Sequence, residues 1–151
     1  MTRATAHELD ESGYIGEIDD ILGFHIRLAH GTVYRHFMHS FKALGMTQKQ
    51  VSVLWLVADH PGISQSELAK RLQLDRATVM AIVNRLAKRK FLVRGASASD
   101  GRKQTLMLGA AGCGALLQAK RAIRAHEKWL KGRFSARELK TLVALLRRVH
   151  G

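Results

Sequence analysis

This chain of 151 residues has little cysteine, proline or acid, and each shortage excludes something. Its one cysteine, Cys113, rules out an internal disulfide framework and fits a reducing, cytoplasmic setting, with a small buried packing role expected for the thiol. Its one proline lies in Pro61-Gly62, where a helix stop is expected. No apolar run reaches the roughly 18 residues of a membrane span. The acidic, polar N-terminus does not read as a signal peptide, and residues 1–16 are expected to be poorly ordered. Catalytic signatures are missing too: there is no Gly-x-Ser-x-Gly, no Walker loop and no close pair of buried-looking carboxylates. Gly109, Gly112 and Gly114 read G-x-x-G-x-G, in the wrong order for a dinucleotide loop, and are expected to mark a strand-to-helix junction with close backbone packing. Neither an enzyme nor a cofactor is expected.

Acid is scarce in a particular place. Residues 1–20 hold six acidic side chains and one base, Arg3, so residues 21–151 carry 24 basic against 6 acidic groups, a net +18. A body that basic is expected to bind polyanions, with affinity falling steeply as salt rises. Charge alone suits duplex DNA, RNA or anionic lipid.

Residues 63–108 narrow that choice. Ser64–Glu67 is S-x-x-E, expected to form a capping box with Ile63 and Leu68 as its hydrophobic staple. Asp75 is the expected cap of a second short helix, stapled by Leu74 and Val79, and Arg71–Leu74 leaves room only for a tight turn. On that second helix Val79, Ile82, Val83 and Leu86 fall on one side at helical spacing and are expected to face a core. Ala77, Ala81, Asn84, Arg85 and Lys88 then face outward, flanked by Arg76, Thr78 and Met80. Small residues permit close approach to base edges, and Arg and Asn side chains can bond guanine and adenine bidentately. Lys88, Arg89 and Lys90 complement the negative end of the helix dipole. Phe91–Arg94 and Gln104–Leu108 are expected strands of a hairpin turned at Asp100-Gly101. Arg102 and Lys103 would sit at its tip, where an arginine can enter a minor groove. Asp100 is expected to cap the turn or to pair with Arg94 or Arg102. A helix pair followed by a basic wing is a duplex-reading arrangement.

S-Q-S-E-L-A-K-R-L (64–72), D-R-A-T-V-x-x-I-V-N-R-L (75–86), F-L-V-R (91–94) and D-G-R-K-x-x-L-x-L-x-x-x-G (100–112) together resemble the MarR family of bacterial winged-helix regulators. The resemblance implies a homodimer on a pseudo-palindromic operator, usually a repressor released by a ligand. The candidate DNA-contacting residues are Ser64, Gln65, Arg76, Ala77, Thr78, Ala81, Asn84, Arg85, Lys88, Arg94, Asp100, Arg102 and Lys103.

The fold class expected is mainly α with a small β-wing: one domain, its winged-helix lobe over about 47–108, flanked by dimerisation helices over about 17–44 and 110–150. The first of these is read as one long amphipathic helix carrying Ile26, Val33, Phe37, Phe41 and Leu44, weakened but not broken by Gly31. Thr47–Gln50 is a capping box opening a helix through Val51–Ala58, Ala110–Gly132 is a long helix, and Ser135–Glu138 opens the last. Apolar stripes on the terminal helices need more partner surface than a small winged helix offers, which points to a dimer. Two such lobes would set their recognition helices roughly 34 Å apart.

His25, His30, His36 and His39 share one helix, but neither cysteine nor a nearby acid completes a metal site, and none is expected. The family's peroxide sensors carry a cysteine near the start of the first long helix, and this chain has none there. In the family the effector pocket lies where the first helix, the second and the long helix after the wing meet, so the resemblance makes His25, Arg27, His30, Tyr34, Phe37 and Trp55 the candidate lining here. Aromatic rings with convergent cations suit an aromatic carboxylate, a phenolic, or an aromatic acyl-CoA thioester. Residues 120–148, with ten basic and two acidic groups, offer charge for thioester phosphates. Two rival readings stand beside this one: an architectural or RNA-directed binder without sequence preference, and an enzyme on a helical dimer with a histidine as acid or base.

Overall fold

In the computed structural model, residues 13–97, 99, 101 and 104–151 are described. Six α-helices and one two-stranded sheet are found among them: α1 (Leu22–Phe41), α2 (Gln48–Asp59), α3 (Gln65–Leu72), α4 (Arg76–Lys88), β1 (Leu92–Ala96), β2 (Gln104–Leu108), α5 (Ala110–Lys131) and α6 (Ala136–His150). The chain divides between His36 and Phe37 into two compact units.

The first unit and the start of the second correct one expectation. Residues 17–44 are not one helix: a short 3-10 turn, Glu17–Asp20, precedes α1, and a second, Lys42–Leu44, follows it. Ile21 is extended, which breaks the helical hydrogen-bond ladder, and the left-handed Gly45 ends the second turn. Gly31 is absorbed without a break, as expected. Ile18, Ile21, Leu22, Ile26 and Leu28 are exposed in the first unit.

The second unit has its core around α2. Its N-terminus carries the expected reciprocal box: Gln50 N–H donates to Thr47 Oγ1 at 3.2 Å, and Thr47 N–H donates to Gln50 Oε1 at 3.0 Å. Val51, Val53, Leu54 and Val57 are buried because α3, α4, β2 and α5 all pack on this helix. Phe41, Leu68, Val79, Val83, Leu86, Leu92 and Leu106 complete the core. Each fully buried aliphatic side chain of this kind is worth about 1.5–3 kcal/mol.

The wing is antiparallel, with Leu92 opposite Leu108 and Ala96 opposite Gln104. Strand β1 starts one residue later than expected, and Phe91 instead lies half-buried under the Arg89 guanidinium. Strand β2 is also tied to the turn before α3: Leu106 N–H donates to Ile63 O at 2.9 Å, and Gly62 N–H to Leu106 O at 2.8 Å. These bonds fix the wing against the helix pair. At the other end of β2, a Cβ on Gly109 would lie 2.2 Å from the Lys90 carbonyl oxygen, and one on Gly112 would lie 2.1 Å from that of Phe91. The two glycines therefore let α5 abut the α4–β1 corner, the close backbone packing expected of them.

The thiol of Cys113 is exposed, which corrects the expected buried role. In the first turn of α5 it is Gly112, one residue earlier, that faces inward. Helix α6 opens on the capping box of Ser135 and Glu138 but buries no residue of its own. Its last turn is held at the helix-pair turn, where Gln73 Nε2 donates to His150 O at 3.0 Å.

Candidate nucleic-acid interface

Helix α4 starts where the sequence places its cap. Asp75 Oδ1 accepts from Thr78 N–H at 2.7 Å, and Oδ2 accepts from Thr78 Oγ1 at 2.6 Å. The Thr78 hydroxyl and amide hold the Asp75 carboxyl below its ordinary value, so the cap is charged at neutral pH and favours the positive end of the helix dipole. From this start Val79, Ile82, Val83 and Leu86 turn inward and are buried. Arg76, Ala77, Met80, Ala81, Asn84, Arg85 and Lys88 are left exposed. Ala77 and Ala81, one turn apart, keep the centre of this face low while the cations rise around it. Among the described residues Arg76, Arg85 and Lys88 have no carboxylate partner, so their charge is uncommitted.

Helix α3 supports α4 differently from the expectation. Ser64 Oγ accepts from Glu67 N–H at 3.1 Å, but the reciprocal half of the box is not formed. The Glu67 carboxylate instead takes Arg71 Nε at 2.8 Å along the exposed side of the helix. An exposed i,i+4 ion pair competes directly with back-bonding to the cap, and here it prevails. Ser64 thus spends an acceptor lone pair on the helix end and keeps its hydroxyl proton to donate. Thr78 donates its hydroxyl proton to Asp75 and keeps lone pairs only. Gln65 is half-buried beside Ser64.

On the wing, the exposed Arg94 does not reach outward with its whole guanidinium: Nη2 donates to Oδ1 of Asn84 on α4. The expectation that Asp100 pairs with Arg94 or Arg102, and the assignment of Asp100, Arg102 and Lys103 to the DNA contact, lie outside the described residues. Behind α4, Arg89 Nη1 donates to Gly45 O at 2.8 Å and anchors the end of α4 to the turn before α2. Beside that anchor an open cleft of about 600 Å³ has Phe41 and Met46 in its apolar lining and His39, Lys42 and Arg85 in its basic lining.

The candidate effector residues fall in two groups. In the first unit His25 Nε2 bonds the Asp19 main-chain oxygen at 2.6 Å, Arg27 lies 5.3 Å over the Phe24 ring, and His30 stacks on Tyr34 at 6.0 Å. In the second, Phe37 is buried and stacked on Phe41, and Trp55 is half-buried with Lys120 Nζ 4.7 Å over its ring. Two residues of α5 and one just beyond its end form a chain that starts at Phe37, and sequence reasoning missed them. His126 is buried, edge-on to Phe37 at 5.7 Å and 5.6 Å from Trp129, whose ring carries Arg133 at 4.1 Å. The three-residue spacing of His126 and Trp129, on a helix already expected to wall the pocket, was the available signal. No group of three or more His, Cys, Asp or Glu able to hold a metal occurs among the described residues. No described helix is long and apolar enough to cross a membrane.

The sequence profile of the MarR family matches residues 44–103, the span from the turn before α2 to the wing. The chain is 31% identical over 136 residues to the proposed transcriptional regulatory protein for the hcr operon of Thauera aromatica, covering 89% of this chain and 82% of that one. Among solved structures it is similar to the transcriptional repressor CouR bound to a 23-mer DNA duplex, with a TM-score of 0.86 and 30% identity over 91% of this chain and 98% of that one. CouR bound to p-coumaroyl-CoA is similar at a TM-score of 0.81 and 28% identity, over 91% and 96%.

Proposed function

The chain belongs to the MarR family of winged-helix transcriptional regulators, and from that premise we propose that it is a repressor that holds a pseudo-palindromic operator as a homodimer and releases it when a small aromatic effector binds. A DNA-binding regulator is not an enzyme, which disposes of the catalytic alternative. The observation that carries the reading is the outer face of α4. Three cations without carboxylate partners among the described residues surround two alanines that leave room for base edges. Arg102 and Lys103 are proposed to add minor-groove or phosphate contacts from the wing.

Dimerisation is supported by apolar surface that the single chain leaves uncovered. Val143, Leu145, Leu146 and Val149 of α6 are all exposed, and a stripe of this size is normally buried against a partner. A two-fold axis would pair the two α4 helices with successive major grooves.

For the effector, His25, Arg27, His30, Tyr34, Phe37 and Trp55 remain the residues proposed from the family resemblance; within the second unit His126 and Lys120 stand against Phe37 and Trp55, and Trp129 against His126. Rings flanked by cations suit an aromatic carboxylate, a phenolic or an aromatic acyl-CoA thioester. The thioester is favoured by the basic run of α5 and α6 and by the ligand held in CouR. The test is fluorescence anisotropy on the chain's own upstream intergenic DNA, with p-coumaroyl-CoA, p-coumarate and CoA added separately. Release by the thioester alone supports the phosphate-assisted site. Release by p-coumarate alone moves the effector to the free acid. Release by none of these, or by CoA alone, would contradict an aromatic effector of this kind. The setting proposed for this activity is the cytoplasm.

A further inference from the structure

We propose that Arg94 is a positioning residue for base selection: it fixes the Asn84 amide so that Asn84 offers N–H groups to the major groove and selects guanine over adenine. This inference rests on the operator-binding reading above. Asn84 stands on the exposed face of α4, one turn beyond Ala81, and Arg94 stands on β1 beside it. The bond between them runs from Arg94 Nη2 to Asn84 Oδ1. Arginine carries donors and no acceptor, so the amide cannot flip without losing this bond. Nor is Arg94 drawn away by a carboxylate among the described residues.

The orientation has a chemical consequence. A free asparagine reads adenine by accepting from N6 through its oxygen and donating to N7 through its nitrogen. Here one of the oxygen's two lone pairs already accepts from a cation, which weakens the other as an acceptor and sets a positive guanidinium beside any approaching amino group. What remains is the Nδ2 group with two donors. The base edge that accepts twice is guanine, through O6 and N7. Base choice at one position of each half-site would then depend on Arg94, a residue that need not touch that base.

The experiment uses the full chain and duplexes carrying each of the four base pairs at every half-site position, with Kd measured by anisotropy at about 150 mM salt, where sequence-independent binding is weak. The proteins are wild type, N84A, R94A, R94K and the N84A/R94A double variant, with thermal melting as the check that these exposed substitutions leave the fold intact. Wild type is expected to prefer guanine over adenine about tenfold at one position per half-site, the range of a good base contact. N84A and R94A should each erase that preference while leaving the others, the double variant should be no worse than N84A at that position, and R94K should restore part of it. An R94A protein that weakens on all duplexes alike, with a salt slope shallower by about one, makes Arg94 a phosphate contact and overturns the inference alone. Adenine preference at the Asn84-dependent position overturns it too. A wild type that distinguishes no duplex from any other overturns the operator reading, and this inference with it.

Discussion

Replacing Gly112 with alanine is expected to destabilise the protein, while the same change two residues along, at Gly114, is expected to stabilise it. Both lie in the first turns of α5 and both would gain helix propensity, by up to about 1 kcal/mol. The difference is what the new methyl meets. At Gly114 nothing lies within 4 Å, whereas at Gly112 the methyl would sit 2.1 Å from the Phe91 carbonyl oxygen and 3.0 Å from its carbon. These are backbone atoms, so no rotamer change relieves the clash; α5 or the α4–β1 corner must move by about 1 Å. Overpacking of this sort costs about 1–3 kcal/mol, and without a flexible neighbour the upper end applies. Setting propensity against clash leaves Gly112→Ala about 2 kcal/mol less stable and Gly114→Ala up to about 1 kcal/mol more stable. For a chain of this size that is a fall in Tm of about 4–8 °C and a rise of about 2–4 °C. Urea unfolding at one fixed protomer concentration measures both, since a dimer's apparent stability depends on concentration. A Gly112→Ala protein as stable as wild type would refute the close approach of α5 to the corner that carries the recognition helix.

Two further outcomes follow from the caps. Ser64→Ala should cost about 1 kcal/mol, because it removes the acceptor for the Glu67 amide. Glu67→Ala should cost less than about 0.5 kcal/mol, because it loses only an exposed ion pair with Arg71; a loss equal to that of Ser64→Ala in urea titrations would restore the reciprocal box. Asp75 has its carboxyl lowered from 3.8 by the Thr78 hydroxyl and then by the Thr78 amide. Its contribution is therefore complete above that ordinary value and is lost as pH falls below it. Melting followed from about pH 6 to pH 3 should show an acid-dependent loss in wild type that shrinks in Asp75→Asn, the residue remaining for both being Glu138, lowered by Ser135. Identical pH profiles for the two proteins would remove the charged cap from the account.

The helix pair was legible because its signals are local. Asp75 caps the next turn, and the Val79–Leu86 stripe follows from helical spacing alone. Thr47 and Gln50 likewise announce their box three residues apart. What the sequence did not show depends on competition or on distance. Glu67 has two suitors, the Ser64 amide end and Arg71, and spacing cannot rank them. Residues 17–44 keep a helical apolar pattern through Ile21, so the breaks flanking α1 leave no trace in periodicity. Cys113 was misjudged by a residue, the small inward position being taken by Gly112. The Arg94–Asn84 bond joins a strand to a helix, and no pattern within either segment announces it. His126 and Trp129 were passed over because their partner Phe37 lies some ninety positions earlier in the chain.

The most direct test of the central claim, that the outer face of α4 reads operator DNA, is anisotropy of the purified chain on its own upstream intergenic duplex against a scrambled duplex of equal length. It is run at about 150 mM salt with wild type and Arg76→Ala. The account predicts a preference for the intergenic duplex of about a thousandfold or more in wild type, largely lost in the variant. Equal binding of wild type to both duplexes would contradict it and leave a basic protein that grips nucleic acid by charge alone.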